Sequence, residues 1–116
     1  MRDYRDLVVW QKAMGLVKST YKLINKLPQE ERFALADQMR RCVISIPSNI
    51  AEGYERKSTK EYVHFLLIAN ASQAELATQL EICKMLDYVD DVDDITKQCY
   101  EISKIINSII KKLNEN

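Results

Sequence analysis

The chain has 116 residues, with 17 basic and 17 acidic side chains, two glycines and two prolines. This length suits one domain, taken here as residues 1–116, and the scarcity of turn-forming residues argues against a β-sandwich, a β-barrel or a disordered chain. The zero net charge removes any global argument for nucleic-acid or membrane binding.

The first predicted helix runs from about Leu7 to Lys26. Apolar residues recur along it every three or four positions, in one stripe and in a second stripe beside it, which together predict a wide core face. The first stripe comprises Trp10, Met14, Val17, Tyr21 and Ile24, and the flanking stripe comprises Val9, Ala13, Leu16, Leu23 and Leu27.

The second predicted helix runs from about Gln29 to Tyr54, with Pro28 near its first turn. Pro47 lies inside this pattern and has no N–H to donate to the carbonyl of Val43. Because the apolar stripe continues past it, we predict a helix that is kinked at Pro47 and continues; the alternative is an early end at Gly53. The stripe comprises Ala36, Met39, Val43, Ile46 and Ile50.

Two more helices follow. The third begins at Ser58, which is predicted to form a capping box with Glu61, and ends near Asp87. The fourth begins at about Val92 behind an aspartate cap. Their stripes are Tyr62, Leu66, Ala69, Gln73, Leu76, Leu80 and Cys83, and then Ile95, Cys99, Ile102, Ile106, Ile109 and Leu113. Short connections join antiparallel neighbours, so the sequence predicts an all-α, up-down-up-down four-helix bundle.

Cysteine usage and hydropathy indicate the compartment. Cys42, Cys83 and Cys99 are odd in number, have no C-x-x-C spacing and lie in apolar helical patterns, which is typical of reduced core thiols. The charged N-terminus contains no apolar signal segment. No apolar run approaches the ~20 residues that a membrane span needs. We therefore expect a cytoplasmic protein without a membrane partner.

The sequence offers little for catalysis. The single histidine, His64, lies in Glu61-x-x-His64, which is half of the paired motif that builds di-iron sites in helix bundles. No glycine-rich phosphate loop, nucleophile elbow or zinc-finger spacing occurs. We expect no catalytic residue, metal site, cofactor or small-molecule substrate, and therefore no enzyme.

Charge is absent from one region. Between Tyr62 and Leu80 the only formally charged residue is Glu75, and residues 42–51 carry no charge. A helix that is apolar nearly all round is usually buried nearly all round. We therefore predict self-association, the alternative being a thicker core formed by a tilted helix. The predicted oligomer interface comprises Ile44, Val63, Leu67, Ala71 and Ala74.

Isolated polar residues occur in the same region and predict a structural polar network, with a ligand site as the alternative. In it, Arg40 is expected to pair with Glu75, while Arg41 is freer to contact a neighbouring subunit. The network comprises Arg40, Ser45, Asn49, Glu52, Ser72 and Glu75.

Lys18, Lys22 and Lys26 form a row opposite the core stripe of the first helix. Their step of about 6 Å is comparable with the separation of adjacent phosphates on one strand. With Arg40 and Arg41, the row predicts contact with a nucleic-acid backbone. The alternative is a solvated lysine face that pairs with the acidic fourth helix.

Several segments resemble one bacterial family. The strongest is the nonapeptide S-I-P-S-N-I-A-E-G at residues 45–53. Further matching segments are Val9-Trp10-Gln11-Lys12-Ala13, Pro28-x-x-Glu31-x-Phe33-x-Leu35, Gln38-Met39-Arg40-Arg41 and Phe65-Leu66-x-Ile68-Ala69-x-x-Ser72-x-x-Glu75-Leu76. Over about residues 7–113 the chain resembles the four-helix-bundle proteins encoded within intervening sequences of 23S rRNA genes.

The resemblance implies a homopentameric ring. It extends to the accessory proteins of diversity-generating retroelements, which bind a reverse transcriptase and nucleic acid. One departure is Asn70-Ala71, where the family often has Arg-Gly. The first functional hypothesis is a non-enzymatic oligomer that associates with RNA or an RNA–protein complex. The alternative is a structural adaptor whose ring binds another protein without nucleic acid.

Overall fold

The computed structural model describes residues 3–115. They form four α-helices, and no strand occurs among them. The helices are α1 (Val8–Ile24), α2 (Leu35–Tyr54), α3 (Thr59–Met85) and α4 (Asp93–Asn114), and short 3-10 turns lie at Tyr4–Asp6 and Gln29–Glu31. The all-α prediction is confirmed.

The four helices lie side by side in one elongated body of 47 × 21 × 20 Å. Each helix packs against its neighbours in the chain, and α1 also packs against α4. Contacts between α2 and α3 run in opposite directions along the two helices: Met39 meets Cys83 near one end, and Gly53 meets Phe65 near the other. This arrangement is the predicted four-helix bundle.

The core draws on all four helices. The predicted stripes of α2, α3 and α4 are buried over most of their length. The largest fully buried side chains of the core include Leu16, Met39, Ile46, Leu66, Leu80 and Ile102. The thiols of Cys42, Cys83 and Cys99 are free and buried among these residues, as predicted.

The two stripes of α1 have different environments. The flanking stripe supplies the buried residues Val9, Ala13, Leu16 and Leu23. In the first stripe, Trp10 is half-buried and Met14 is 44% exposed, because these side chains lie along the junction with α2 rather than in the centre. The expected wide core face is therefore narrower than the sequence pattern suggests.

The predicted start of the second helix at Gln29 is wrong. Gln29–Glu31 forms a separate 3-10 turn, and Ala34 leaves the helical region with φ −119° and ψ −101° before α2 begins at Leu35. The Glu31 carboxylate accepts from the Leu35 N–H at 3.4 Å and so caps α2. The helix continues through Pro47 to Tyr54, so Gly53 does not end it, whereas the kink at Pro47 stays a prediction.

Both later helices begin at polar caps. The Ser58 hydroxyl accepts from the Glu61 N–H at 3.1 Å. The Glu61 carboxylate lies 3.2 Å from that hydroxyl and 3.6 Å from Arg56, so it accepts from a side chain rather than completing the backbone half of the capping box. At α4, the Asp91 carboxylate accepts from the Asp93 N–H at 2.8 Å.

Candidate interaction surfaces

One apolar surface lies on the solvent side of α3. We call Val63, Leu67, Ala71 and Ala74 the α3 ridge. Leu67 is 53% exposed, the two alanines are exposed and Val63 is half-buried. These positions lie opposite the buried stripe of the same helix. The four-helix core therefore leaves the ridge uncovered, contrary to the alternative of a thicker core.

A second apolar surface lies between α1 and α2. This α1–α2 groove has a volume of about 320 Å³. It is lined by Tyr4, Trp10, Met14, Val17, Ile44, Pro47, Ser48 and Ala51. The rings of Tyr4 and Trp10 meet edge to face, with centroids 5.4 Å apart. Ile44 belongs to this groove, so the structure divides the predicted interface residues between two separate surfaces.

Short hydrogen bonds join α2 to α3 at mid-height. The Ser45 and Ser72 hydroxyls share one of 2.7 Å, and the Cys42 thiol donates to the Ser72 carbonyl at 3.0 Å. Within α2, the Asn49 amide donates to the Ser45 carbonyl at 2.7 Å and makes no hydrogen bond to α3. Burial, and next the Glu75 carboxylate, raise the pKa of the Cys42 thiol to about 12, so this thiol is protonated and a poor nucleophile at neutral pH.

The expected pair between Arg40 and Glu75 does not form. The Arg40 guanidinium donates instead to the carbonyl of Arg32 at 3.5 Å. Glu52 also lies outside the cluster, because its carboxylate pairs with Arg56 at 3.0 Å one helical turn away. The polar contacts between α2 and α3 are therefore smaller in extent than the predicted network, and they hold packed helices together rather than forming an open ligand site.

The lysine row is exposed on the outer face of α1. Within residues 3–115, no carboxylate lies within ion-pair distance of Lys18 or Lys22. Lys26 lies just beyond the helix and lines a cavity of about 270 Å³ with Asp90 and Asp91. The electrostatic environment therefore changes along the row, because its last lysine has acidic neighbours.

The two predicted arginines do not extend that row. Arg41 is exposed and pairs with Asp37 at 3.2 Å on its own helix. Arg40 lines a different cavity with Arg32, at the junction of α1 and α2. The ion pair that does join α1 to α4 uses Lys12 and Glu101.

Sequence reasoning missed one exposed aromatic residue. Phe33, in the connection before α2, is 85% exposed, and the Arg32 guanidinium lies 5.2 Å from its ring centroid. The available signal was that Phe33 falls off the stripe of α2 that begins with Ala36 and Met39. The predicted helix from Gln29 includes this segment, so the helical pattern gives no reason to expect an exposed turn at Phe33.

Two classes of site are not found in the part of the chain that the structure covers. No helix there combines the length and the apolar character needed to cross a bilayer. Across the same residues, no cluster of three or more histidine, cysteine, aspartate or glutamate side chains is arranged to hold a metal ion.

Comparison with known proteins relates this chain to a solved structure and to a protein family. The structure is similar to a crystal structure from Bacteroides thetaiotaomicron described as a protein with unknown function from the S23 ribosomal protein family. The similarity has a TM-score of 0.83 at 28% identity, over 90% of this chain and 99% of the other. No curated protein matches this chain. The profile of the 23S rRNA-intervening sequence protein family matches residues 5–108. Because the match extends over most of the chain, the protein belongs to the 23S rRNA-intervening sequence protein family.

Proposed function

We propose that this protein is a non-enzymatic homo-oligomer that associates with RNA. The observation that carries the proposal is the separation of two surfaces. The α3 ridge is uncharged and lies on one helix, while the exposed row beginning with Lys18 and Lys22 lies on α1, which is not a packing neighbour of α3 among the described residues. Assembly through the ridge would leave the lysines free to bind an anionic polymer.

The self-association step rests on the ridge and the α1–α2 groove. A contact that joins two different patches of identical subunits is heterologous, and such contacts close into rings or extend into filaments. Leu67 on the ridge and Trp10 in the groove offer apolar surface on two different sides of the subunit. A stable contact buries roughly 800 Å² per partner. The family resemblance, rather than the groove or ridge, implies the number five.

The RNA step rests on the lysine row. Each phosphate that a lysine neutralises releases a counterion, so binding weakens as salt is added. Lys18 and Lys22 are the main contributors, because Lys26 has Asp90 and Asp91 beside it. Arg41 contributes less, since it is already paired with Asp37.

The test is a titration with single-stranded RNA at several salt concentrations. Changing Lys18, Lys22 and Lys26 together to Gln should weaken binding and flatten the log–log salt slope by up to about 2, at about 0.7 for each lost phosphate contact. The matched control changes Lys57, Lys60 and Lys84 to Gln. These three exposed lysines lie off the row and give the same change in net charge. Equal weakening by both variants, or no binding by the unmodified protein, contradicts the proposal.

The second candidate is an adaptor that binds another protein and no nucleic acid. It is favoured by the α1–α2 groove, whose aromatic lining suits an apolar side chain better than a phosphate. If the protein assembles but does not bind RNA in the titration, the adaptor function replaces the RNA function.

A further inference from the structure

The most exposed large apolar side chain among residues 3–115 is Phe33, at 85% exposure. Burying a phenylalanine side chain is favourable, and the folded subunit does not bury this one. The ring does have one neighbour, the Arg32 guanidinium, at 5.2 Å from its centroid. An aromatic face with an arginine over it, presented to solvent, is a surface for a flat ligand.

The turn that carries Phe33 is held from both sides. On one side, the Arg40 guanidinium donates to the Arg32 carbonyl at 3.5 Å. On the other, the Glu31 carboxylate accepts from the Tyr88 hydroxyl at 2.7 Å and from the Leu35 N–H at 3.4 Å. Phe33 therefore lies on an ordered turn, so the protein loses less conformational entropy when a ligand binds there.

A cavity of about 170 Å³ lies next to this turn, and Arg32 and Arg40 both line it. Two arginines beside one cavity favour an anion with several oxygens, such as a phosphate. Glu31 is engaged by Tyr88 and Leu35, and Asp37 is paired with Arg41. Glu30 lies in the same turn, but no carboxylate of the described residues forms an ion pair with Arg32 or Arg40. The aromatic ring and the two arginines together match the two parts of a nucleotide.

We propose that Phe33 stacks on an unpaired base of single-stranded RNA, with Arg32 and Arg40 on the adjoining phosphate. This inference rests on the proposed association with RNA, and it adds a base contact that the lysine row cannot supply. Unpaired bases stack on aromatic rings and arginine planes largely without regard to sequence. The expected ligand is therefore a flexible single strand rather than a duplex.

The experiment compares two fluorescent oligomers of about 12 nucleotides, an oligoadenylate and the same ribose-phosphate backbone without bases. Phe33→Ala should weaken binding of the oligoadenylate about fivefold or more and leave binding of the baseless oligomer unchanged. Phe33→Tyr keeps an aromatic ring, so it should still bind the oligoadenylate more tightly than the baseless oligomer. Tyr100→Ala is the matched control, because that ring is 65% exposed and has Lys104 over it, but it adjoins no pair of arginines.

The outcomes separate this inference from the proposed function. If the lysine variant weakens binding but Phe33→Ala does not, base stacking is wrong and the association with RNA stands. If the unmodified protein binds neither oligomer, the proposed function fails and this inference fails with it. If Phe33→Ala lowers the assembled mass in light scattering, Phe33 belongs to a contact between subunits and the inference is overturned.

Discussion

The α2–α3 pair and the α1–α4 pair are built differently. At Gly53 the first pair comes so close that an added Cβ would lie 2.7 Å from the Cβ of Phe65. The second pair is joined near the surface by the Ser19–Gln98 hydrogen bond and the Lys12–Glu101 ion pair. Outside these contacts, α3 carries the uncharged ridge and α1 carries the lysine row. Under the proposed function, a second copy of the chain covers the uncharged ridge on α3, whereas the lysine row on α1 stays exposed and free to bind RNA.

Deleting a core side chain from α3 should have the largest effect. Leu80 is fully buried, so Leu80→Ala should lower the free energy of unfolding by about 2–5 kcal/mol through lost burial and a residual cavity. Met85→Ala is the control on the same helix. Met85 is 71% exposed, and its loss should change stability by about 0.5 kcal/mol or less. Equal denaturant midpoints for the two variants would contradict the assigned core.

The close approach of α2 and α3 predicts the next largest effect. Gly53→Ala places a methyl group against Phe65 and Tyr62, and forcing an extra carbon into such a contact costs about 1–3 kcal/mol. A denaturant melt measures the loss. Unchanged or increased stability would show that the two helices are not packed this tightly.

The buried thiol between α2 and α3 predicts a dependence on pH. The pKa of Cys42 is raised from 9.0 to about 12, so its contribution to stability is complete below pH 9 and is lost as the pH rises towards 12. One such group changes the free energy of unfolding by at most about 1.4 kcal/mol per pH unit. Denaturant melts between pH 9 and pH 12 should therefore show that the free energy of unfolding falls less steeply with pH in Cys42→Ala than in the unmodified protein. Equal slopes for the two proteins would exclude Cys42 as a source of the pH dependence.

The α1–α4 pair predicts the smallest effect, with the opposite sign. An added Cβ at Gly15 meets no atom within 4 Å, and Gly15 lies in the interior of α1. Gly15→Ala should therefore raise the free energy of unfolding by about 0.5–1 kcal/mol through lower backbone entropy in the unfolded chain. A loss of stability comparable with that of Gly53→Ala would remove the contrast between the two pairs.

Much of the fold follows from the sequence because helical periodicity reports burial directly. The stripe from Ala36 to Ile50 is buried at every position, and Ser58 caps α3 as predicted. The start of α2 could not be placed, because it depends on Glu31, whose carboxylate is held by Tyr88, 57 residues away. Periodicity carries no information about such a distant partner.

The candidate surfaces were less predictable than the core. The near absence of charge between Tyr62 and Leu80 indicated an apolar face on α3, and Leu67 lies on it, 53% exposed. Ile44 was predicted to share an interface with Leu67, but it lies in the α1–α2 groove. The pairing of two helices in a hairpin does not determine which side of the pair an exposed residue faces. The Arg40 side chain turns to the Arg32 carbonyl instead of Glu75, since a long flexible side chain can reach several acceptors.

The central claim is that the α3 ridge is covered by a second copy of the chain. Light scattering at micromolar concentration tests this claim most directly. Leu67→Glu places a charge on the ridge, and Tyr100→Glu is the control, because it places the same charge at an exposed position on α4. The unmodified protein and the Tyr100→Glu variant should have a mass several times 13.5 kDa, and Leu67→Glu should dissociate with its helicity retained. A mass near 13.5 kDa for the unmodified protein would contradict the account.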